Sequence, residues 1–239
     1  MHTARAGAAP LRRLVDKLYG AALRVEYNSQ PPQHRFEVDE IKYWVDSVSR
    51  LIPNSGRAFA VNFHVQWHDI GYTSRPVRFI TLVRDPIARI AGEFLAFQRE
   101  VTARGGGDTE TLEIAGDIVR FADAMSRNEY LVRFFSNTDL CDAITDASAE
   151  RACAALDRLD VVGIQGRPQL FTQQVLSLDV FNKEKFGDAR AAFAAEMSQI
   201  FRSPGDELAA QMSAQNRRQL EERNSRDLSL YQWLASKHE

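Results

Sequence analysis

The sequence predicts an α/β domain in which helices cover a small parallel sheet. The first observation is the run "VRFITLV" at 77–83, whose β-branched and aromatic residues are typical of a buried parallel strand. The second is that a few short strands alternate with stretches of helical periodicity. The third is the balance of 44% hydrophobic and 26% charged residues, which suits a globular protein with a proper core. Because no obvious linker divides the 239 residues, 1–239 are predicted to form one domain.

The first quarter of the chain predicts two helices and a strand. Residues 11–26 have apolar side chains at helical spacing, with arginine and lysine on the opposite face. Residues 38–52 predict a second amphipathic helix, which the sequence "PNSG" ends. Residues 57–67 alternate apolar and polar positions and therefore predict a strand.

The remainder of the chain is predicted to be rich in helices. A helix at 86–103 follows the strand at 77–83, and a second short strand is predicted at 160–164. Apolar periodicity predicts further helices over 110–135, 148–158, 168–176, 189–201 and 206–235. The sheet is therefore expected to be small and the C-terminal half mostly helical.

Composition and charge exclude several classes of protein. The formal net charge is −2, so no global field attracts nucleic acid and any anion site must be local. No stretch approaches about 18 consecutive apolar residues, which argues against a transmembrane helix. The N-terminus lacks the apolar segment of a secretory signal. Cys141 and Cys153 suit a reducing compartment and are predicted to be packing residues, so a cytoplasmic location is expected.

Arg84 is the first candidate binding residue, because it stands where the strand "FITLV" ends. Ligands of open parallel sheets bind beyond the carboxyl ends of the strands. Asp85 is a good helix N-cap and Pro86 a good first helical residue, so a helix with free N–H groups should begin beside the arginine. This combination suits a phosphate. An ion pair of Arg84 with Asp85 or with a neighbouring carboxylate explains the same pattern, and the pattern alone does not decide between the two.

The stretch "LVRDPIARIAGEFLAF" resembles the 3′-phosphate-binding segment of sulfotransferases, in particular the carbohydrate (heparan sulfate-like) branch. In that family a strand ends in Arg-Asp-Pro, and a helical serine eight residues after the arginine completes the contact with the 3′-phosphate. The donor is 3′-phosphoadenosine 5′-phosphosulfate (PAPS). Arg84 matches the arginine, whereas Gly92 occupies the serine position. The resemblance therefore implies a cofactor-binding role for Arg84 and Gly92, with one hydroxyl donor missing.

Four further segments are similar to the family, in the family's order. "FAVNFHVQW" resembles the strand that ends in Gly-His, so His64 corresponds to a candidate base for the acceptor hydroxyl. The pattern alone favours an ordinary core or edge position for this histidine. The segment 126–136 resembles the family's Asn-rich helix. The segment 160–176 resembles the family's Val-Gly-Leu-Thr-Glu strand and the helix after it, with Gly166 in place of the acid. The segment 223–234 resembles the family's closing Asn-x-x-Asp-x-x-Leu-Tyr helix.

The segment "HTARAGAAPLR" at 2–12 corresponds to the family's 5′-phosphosulfate loop, but most of its chemical groups have changed. Arg5 stands where the family has a catalytic lysine, and Ala9-Pro10 replace Thr-Ser. By resemblance, Arg5 would stabilise charge on the leaving phosphate, and Gly7, Ala8 and Ala9 would line the loop. Arginine is a bulkier cation than lysine, and Pro10 removes a backbone N–H from the loop. Weak or absent turnover is therefore expected.

The resemblance also implies that the first strand of the fold is missing before residue 2. Three explanations remain open: a start site placed too late or a shifted frame, a decaying gene copy, or another segment in the place of the strand. A start-site or frame error in a sulfotransferase-like gene is the favoured expectation.

Taken together, the resemblance implies a P-loop-type three-layer fold and a PAPS-dependent sulfotransferase that acts on a hydroxyl of a carbohydrate or small-molecule acceptor. A catalytically impaired remnant or pseudoenzyme with a binding role only is the alternative. A P-loop kinase is disfavoured, because the chain has no Gly-x-x-x-x-Gly-Lys-Ser/Thr stretch. His64 and His68 are four residues apart, but no cysteine or acidic cluster completes a metal site, so no metal is expected.

Several other polar and aromatic residues have simpler interpretations. Arg89 and Arg99 on the 86–103 helix are expected to be solvated charges. The basic run "NRRQLEER" is balanced by its own acids and predicts a solvated helix face. Tyr231 and Trp233 are expected to anchor the C-terminal helix to the core.

Overall fold

The computed structural model describes residues 11, 13–14, 25–26, 61–62, 78–125, 128–136, 138, 142–179, 181, 187–199 and 203–237. The described strands are β1 (Val25–Glu26), β2 (Val61–Asn62), β3 (Ile80–Val83) and β4 (Val161–Ile164). The described helices are α1 (Pro86–Ala103), α2 (Thr109–Gly116), α3 (Ile118–Ala124), α4 (Tyr130–Ser136), α5 (Asp146–Leu156), α6 (Pro168–Ser177), α7 (Gly187–Gln199), α8 (Pro204–Gln211), α9 (Ala214–Arg223) and α10 (Ser225–Lys237).

Strands β3 and β4 pair in parallel, with Ile80 opposite Val161 and Val83 opposite Ile164. All residues of both strands are buried, and for β3 the continuous apolar run predicted this burial. Strands β1 and β2 form a second parallel pair within the described residues. The strand expected at 57–67 is therefore confirmed at its described positions, 61–62. The helical spacing of 11–26 does not extend to 25–26, which form β1 instead.

Helices cover both faces of the β3–β4 sheet. On one face Val83, Val162 and Ile164 pack against apolar side chains of α4, α5 and α10. On the other face Ile80, Leu82 and Val161 pack against Leu14 and against apolar side chains of α6 and α7. The described residues thus form a helix-rich α/β arrangement around a small parallel sheet.

Gly163 of β4 allows one of these helices to approach the sheet closely. A Cβ atom at this position would lie 2.1 Å from Cδ2 of Phe171 and 2.9 Å from Cδ1 of Leu82. Because Phe171 is itself buried, its ring has little room to move away.

Gly163→Ala is therefore expected to lower the free energy of unfolding by about 1–3 kcal/mol, the usual cost of overpacking a core. Urea unfolding would measure the loss. Gly166→Ala is the matched control just after the same strand, because a Cβ there meets nothing within 4 Å. Equal stability of the two variants would contradict the close contact.

Helix α1 occupies the predicted range 86–103, but two longer predictions were wrong. The segment 110–135 is divided, because the Asp117 side chain accepts the backbone N–H groups of Val119 and Arg120 and starts a new helix. The segment 206–235 comprises parts of three helices. Ser213 caps α9 by accepting the Asn216 N–H, and α9 ends at the C-cap Asn224.

Asp227 joins α10 to the start of α4. Its Oδ2 accepts the backbone N–H of Leu131 and its Oδ1 accepts that of Val132, both at 2.8 Å. All three residues are fully or almost fully buried. The Asp227 carboxyl therefore satisfies two N–H groups at a helix start that water does not reach.

Glu129 makes the reciprocal contact with the start of α10. Its two carboxylate oxygens accept the backbone N–H groups of Arg226 and Asp227 at 3.1 and 2.8 Å. Glu129 has φ 52°, in the left-handed region, and its own N–H donates to Oδ1 of Asn224 at 3.0 Å. The segments 126–136 and 223–234, both singled out in the sequence, are thus joined by two reciprocal helix caps in their described residues.

None of the described helices is long and apolar enough to cross a membrane.

Candidate functional site

Arg84 lies directly after β3, beside the start of α1. The Asp85 side chain accepts the backbone N–H of Ala88 at 2.8 Å, and Pro86 is the first residue of the helix. The N-cap and the helix start predicted from the sequence are therefore confirmed. The Arg84 side chain is only 3% exposed, so its guanidinium is almost fully removed from water.

Two residues at the start of α8 contact the guanidinium of Arg84. Its Nη2 donates to Oγ of Ser203 and lies 3.1 Å from Oδ1 of Asp206. The Oδ2 atom of Asp206 accepts the Ser203 N–H and the Ser203 Oγ–H, both at 2.8 Å. The ion pair of Arg84 with a carboxylate, one of the two interpretations open from the sequence, is therefore present, and the carboxylate is Asp206.

The Asp206 carboxylate is stabilised in its charged form. Burial pushes its pKa upward, but the hydrogen bonds from Ser203 and the positive charge of Arg84 outweigh burial, so its pKa lies below the ordinary value. Asp206 is therefore ionised at neutral pH. A guanidinium, a hydroxyl and a backbone N–H all donate to this one anionic group.

Gly205 allows the start of α8 to approach this position closely. A Cβ at Gly205 would lie 2.7 Å from the Ala88 carbonyl oxygen and 2.7 Å from the Gly92 Cα. A Cβ at Gly92 would lie 3.1 Å from Nη1 of Arg84. Gly92 therefore faces the arginine, and the first turn of α8 lies directly on α1 beside it. This close approach brings the Ser203 hydroxyl to the guanidinium.

One donor of Arg84 is not used within the part of the chain that the structure describes. The Nε atom is buried and has no hydrogen-bond partner there. A buried N–H without an acceptor is costly, so an acceptor supplied by a ligand would be favourable at this atom.

Arg167 and Tyr231 add to the electrostatics of this end of the sheet. Arg167 follows β4, next to the strand that ends at Arg84, and its Nη1 donates to the Ala235 carbonyl at 3.0 Å. Burial raises the pKa of Tyr231 to about 12; the charge of Asp85 acts in the same direction, and the charge of Arg167 opposes it. The phenol of Tyr231 therefore stays protonated. Tyr231 also packs against the core, as predicted.

The other arginines of α1 differ from each other. Arg99 is exposed, as expected. The expectation of a solvated Arg89 was wrong, because its side chain is 0% exposed. Its Nη1 lies 3.2 Å from Oε1 of Glu93, and its Cζ lies 4.7 Å from the centre of the Tyr130 ring. Arg89 also opposes the effect of burial on the pKa of Asp227, which burial nevertheless raises to about 6. Arg89 thus belongs to the buried polar group that links α1, α4 and α10.

The remaining predicted site residues, which are His64, Arg5, Gly7, Ala8 and Ala9, lie outside the described residues. Of the predicted cofactor-binding residues, the structure brings together Arg84 and Gly92.

Sequence reasoning missed Ser203 and Asp206, although "SPGD" at 203–206 is a recognisable helix start with a serine cap and an acid three residues later. Among the described residues, no group of three or more His, Cys, Asp and Glu side chains is placed to hold a metal ion.

Comparisons with known proteins leave the family open. No protein-family model matches the chain, and neither a curated protein nor a solved structure matches it.

Proposed function

We propose that this chain is a PAPS-dependent sulfotransferase-like protein with a P-loop-type three-layer fold. It would transfer a sulfuryl group to a hydroxyl of a carbohydrate or small-molecule acceptor. The observation that supports this proposal most is the position of Arg84, a buried guanidinium at the carboxyl end of a parallel strand and beside the start of a helix. Such a position favours a phosphate ligand in parallel α/β sheets.

Two further observations support the proposal. Hydroxyl and backbone N–H donors accompany Arg84, and together they hold a carboxylate, so the local chemistry suits an oxyanion. The helix caps that join 128–136 to 224–237 connect two segments that separately resemble the family.

The proposed reaction forms a bond between the acceptor oxygen and sulfur and breaks the bond between sulfur and the phosphate oxygen. His64 would accept the proton of the acceptor hydroxyl. The electron pair of the broken bond would remain on the 5′-phosphate of 3′,5′-ADP, and Arg5 would stabilise that charge. Arg84 would hold the 3′-phosphate and so fix the position of the donor.

A catalytically impaired protein that binds the nucleotide without transferring sulfate is the second candidate function. The Asp206 carboxylate favours this alternative, because it already neutralises the guanidinium that a phosphate would need. The changed loop at 2–12 favours it as well. Incubation with sulfur-labelled PAPS and a panel of sugars distinguishes the two candidates: label transferred to an acceptor indicates the enzyme, and nucleotide binding without transfer indicates the impaired protein.

Arg84→Ala is expected to weaken binding of 3′,5′-ADP by at least about tenfold, since a buried charged hydrogen-bond donor to the phosphate is lost. Isothermal titration calorimetry would measure the affinity. Arg78→Ala is the matched control, because Arg78 precedes the same strand and pairs with Asp160 and Asp179. Affinity that is lowered equally by both substitutions, or by neither, would contradict the proposed site.

A further inference from the structure

We propose that Ser203 is the hydroxyl ligand of the anion that Arg84 binds, and that the Asp206 carboxylate is an internal occupant which this anion displaces. The inference rests on the proposed function, because it assigns a ligand and a regulatory contact to the same site. It concerns Ser203, the N-cap of α8, and Asp206 in its first turn, which lie outside every segment for which the sequence suggested a resemblance.

The contacts of Asp206 are those that a bound oxyanion would make. Its Oδ1 lies 3.1 Å from Arg84 Nη2, and its Oδ2 accepts from the Ser203 hydroxyl and the Ser203 N–H at 2.8 Å each. A phosphate oxygen accepts from the same three kinds of donor. These donors lie at the positive end of the α8 dipole, which also favours a negative charge. The carboxylate therefore occupies the position of the ligand.

Ser203 supplies the hydroxyl that Gly92 lacks. Gly92 faces the guanidinium, and a Cβ there would lie only 3.1 Å from Arg84 Nη1, so a serine at 92 would crowd the arginine. The absence of a side chain at Gly205 lets α8 lie against α1, and Ser203, two residues before Gly205, thereby reaches Arg84 Nη2. The hydroxyl is thus delivered by a second helix instead of by α1 itself.

Asp206 can leave this position more readily than Arg84. The Asp206 side chain is 34% exposed, whereas that of Arg84 is 3% exposed. A rotation of the aspartate side chain would place its carboxylate in water, where a charge is well solvated. The guanidinium, the hydroxyl and the Ser203 N–H would then be free to bind the incoming phosphate.

The test is a set of calorimetric titrations with 3′,5′-ADP and, separately, with inorganic phosphate. Asp206→Asn removes the competing charge but keeps the size of the side chain, and it should tighten binding of both probes by about three- to tenfold. Ser203→Ala removes the hydroxyl and should weaken binding of both probes by about three- to tenfold.

Two control variants isolate these effects. Asp146→Asn removes the same charge from another Arg–Asp pair, in which Asp146 lies 3.3 Å from Arg226 Nε, and should leave both affinities unchanged. Ser213→Ala removes a serine cap from the neighbouring helix α9 and should also leave them unchanged. The inference is overturned if Asp206→Asn fails to tighten binding relative to Asp146→Asn, or if Ser203→Ala matches Ser213→Ala.

Failure of the inference is distinguishable from failure of the proposed function. Suppose that Arg84→Ala weakens binding of 3′,5′-ADP but Asp206→Asn does not strengthen it. The phosphate site at Arg84 is then supported, and the proposal that the phosphate displaces Asp206 is wrong. If Arg84→Ala leaves binding unchanged, the proposed function itself is wrong, and the inference that depends on it is wrong as well.

Discussion

Asp227→Ala is expected to lower the free energy of unfolding by roughly 2–6 kcal/mol at pH 5, because it leaves two buried backbone N–H groups without an acceptor, each costing about 1–3 kcal/mol. These groups belong to Leu131 and Val132, which are fully buried. Urea unfolding followed by circular dichroism would measure the loss.

The matched control for this substitution is Asp117→Ala. Asp117 also accepts two backbone N–H groups at a helix start, those of Val119 and Arg120, but its side chain is exposed. Water can replace an exposed cap, so this control should cost only about 0.5–2 kcal/mol. Equal losses in the two variants would show that burial of the Asp227 carboxyl does not matter.

The cost of Asp227→Ala should also shrink as the pH rises. Burial raises the pKa of Asp227 from its ordinary value of 3.8 to about 6, against the opposing effects of Arg89 and of the two N–H groups. Between these values the folded chain binds a proton that the unfolded chain releases, so the unfolding free energy of the natural chain falls as the pH rises through this window. The alanine variant lacks this dependence. The difference between the two proteins should therefore be larger at pH 5 than at pH 7.5.

Gly205→Ala is expected to be the most damaging change at the contact between α1 and α8. The added Cβ would lie 2.7 Å from backbone atoms of Ala88 and Gly92, which cannot rotate away as a side chain can. Overpacking of this kind costs about 3 kcal/mol at the upper end of its usual range. Alanine is favoured over glycine within a helix by up to about 1 kcal/mol, so a net loss of about 2 kcal/mol is expected.

The control for this substitution shows how replacing glycine by alanine changes the free energy of unfolding where no close contact exists. Gly187→Ala places the same side chain at the start of α7, where a Cβ meets nothing within 4 Å, and should leave stability equal or slightly higher. Gly205→Ala should also weaken binding of 3′,5′-ADP, because it moves Ser203 away from Arg84. A Gly205→Ala variant as stable as the natural chain would contradict the close contact between the helices.

Local signals explain why α1 could be predicted from the sequence. Asp85 and Pro86 mark its start, and the glycines that follow Arg104 mark its end, where Gly105 and Gly106 adopt positive φ. The strands β3 and β4 were predictable for a similar reason, because a short apolar run bounded by polar residues is typical of a buried strand.

The breaks in the later helices were missed because apolar periodicity continues across them. Asp117 and Ser213 are both good N-caps, and each interrupts a segment that periodicity alone joins. A search for capping residues inside the predicted helices would have found both positions. Arg89 was misjudged for another reason: its burial depends on Glu93 and on the ring of Tyr130, which a different helix supplies.

The partners of Arg84 could not be predicted from the sequence. Local reasoning limited the choice to Asp85 or an unidentified neighbouring carboxylate, and the partner is Asp206 from a distant helix. Its position depends on the packing of α8 against α1 at Gly205, which no local pattern reveals. The sequence therefore predicted the place of the candidate site at the end of β3, whereas the tertiary packing determined what surrounds it.

The most direct measurement of the central claim compares 3′,5′-ADP with AMP, which differ only in the 3′-phosphate, on the natural chain and on Arg84→Ala. If Arg84 binds the 3′-phosphate, calorimetry will show that the natural chain prefers 3′,5′-ADP by at least about tenfold and that Arg84→Ala loses this preference. A natural chain that binds both nucleotides equally, or an Arg84→Ala variant that keeps the preference, would contradict the assignment.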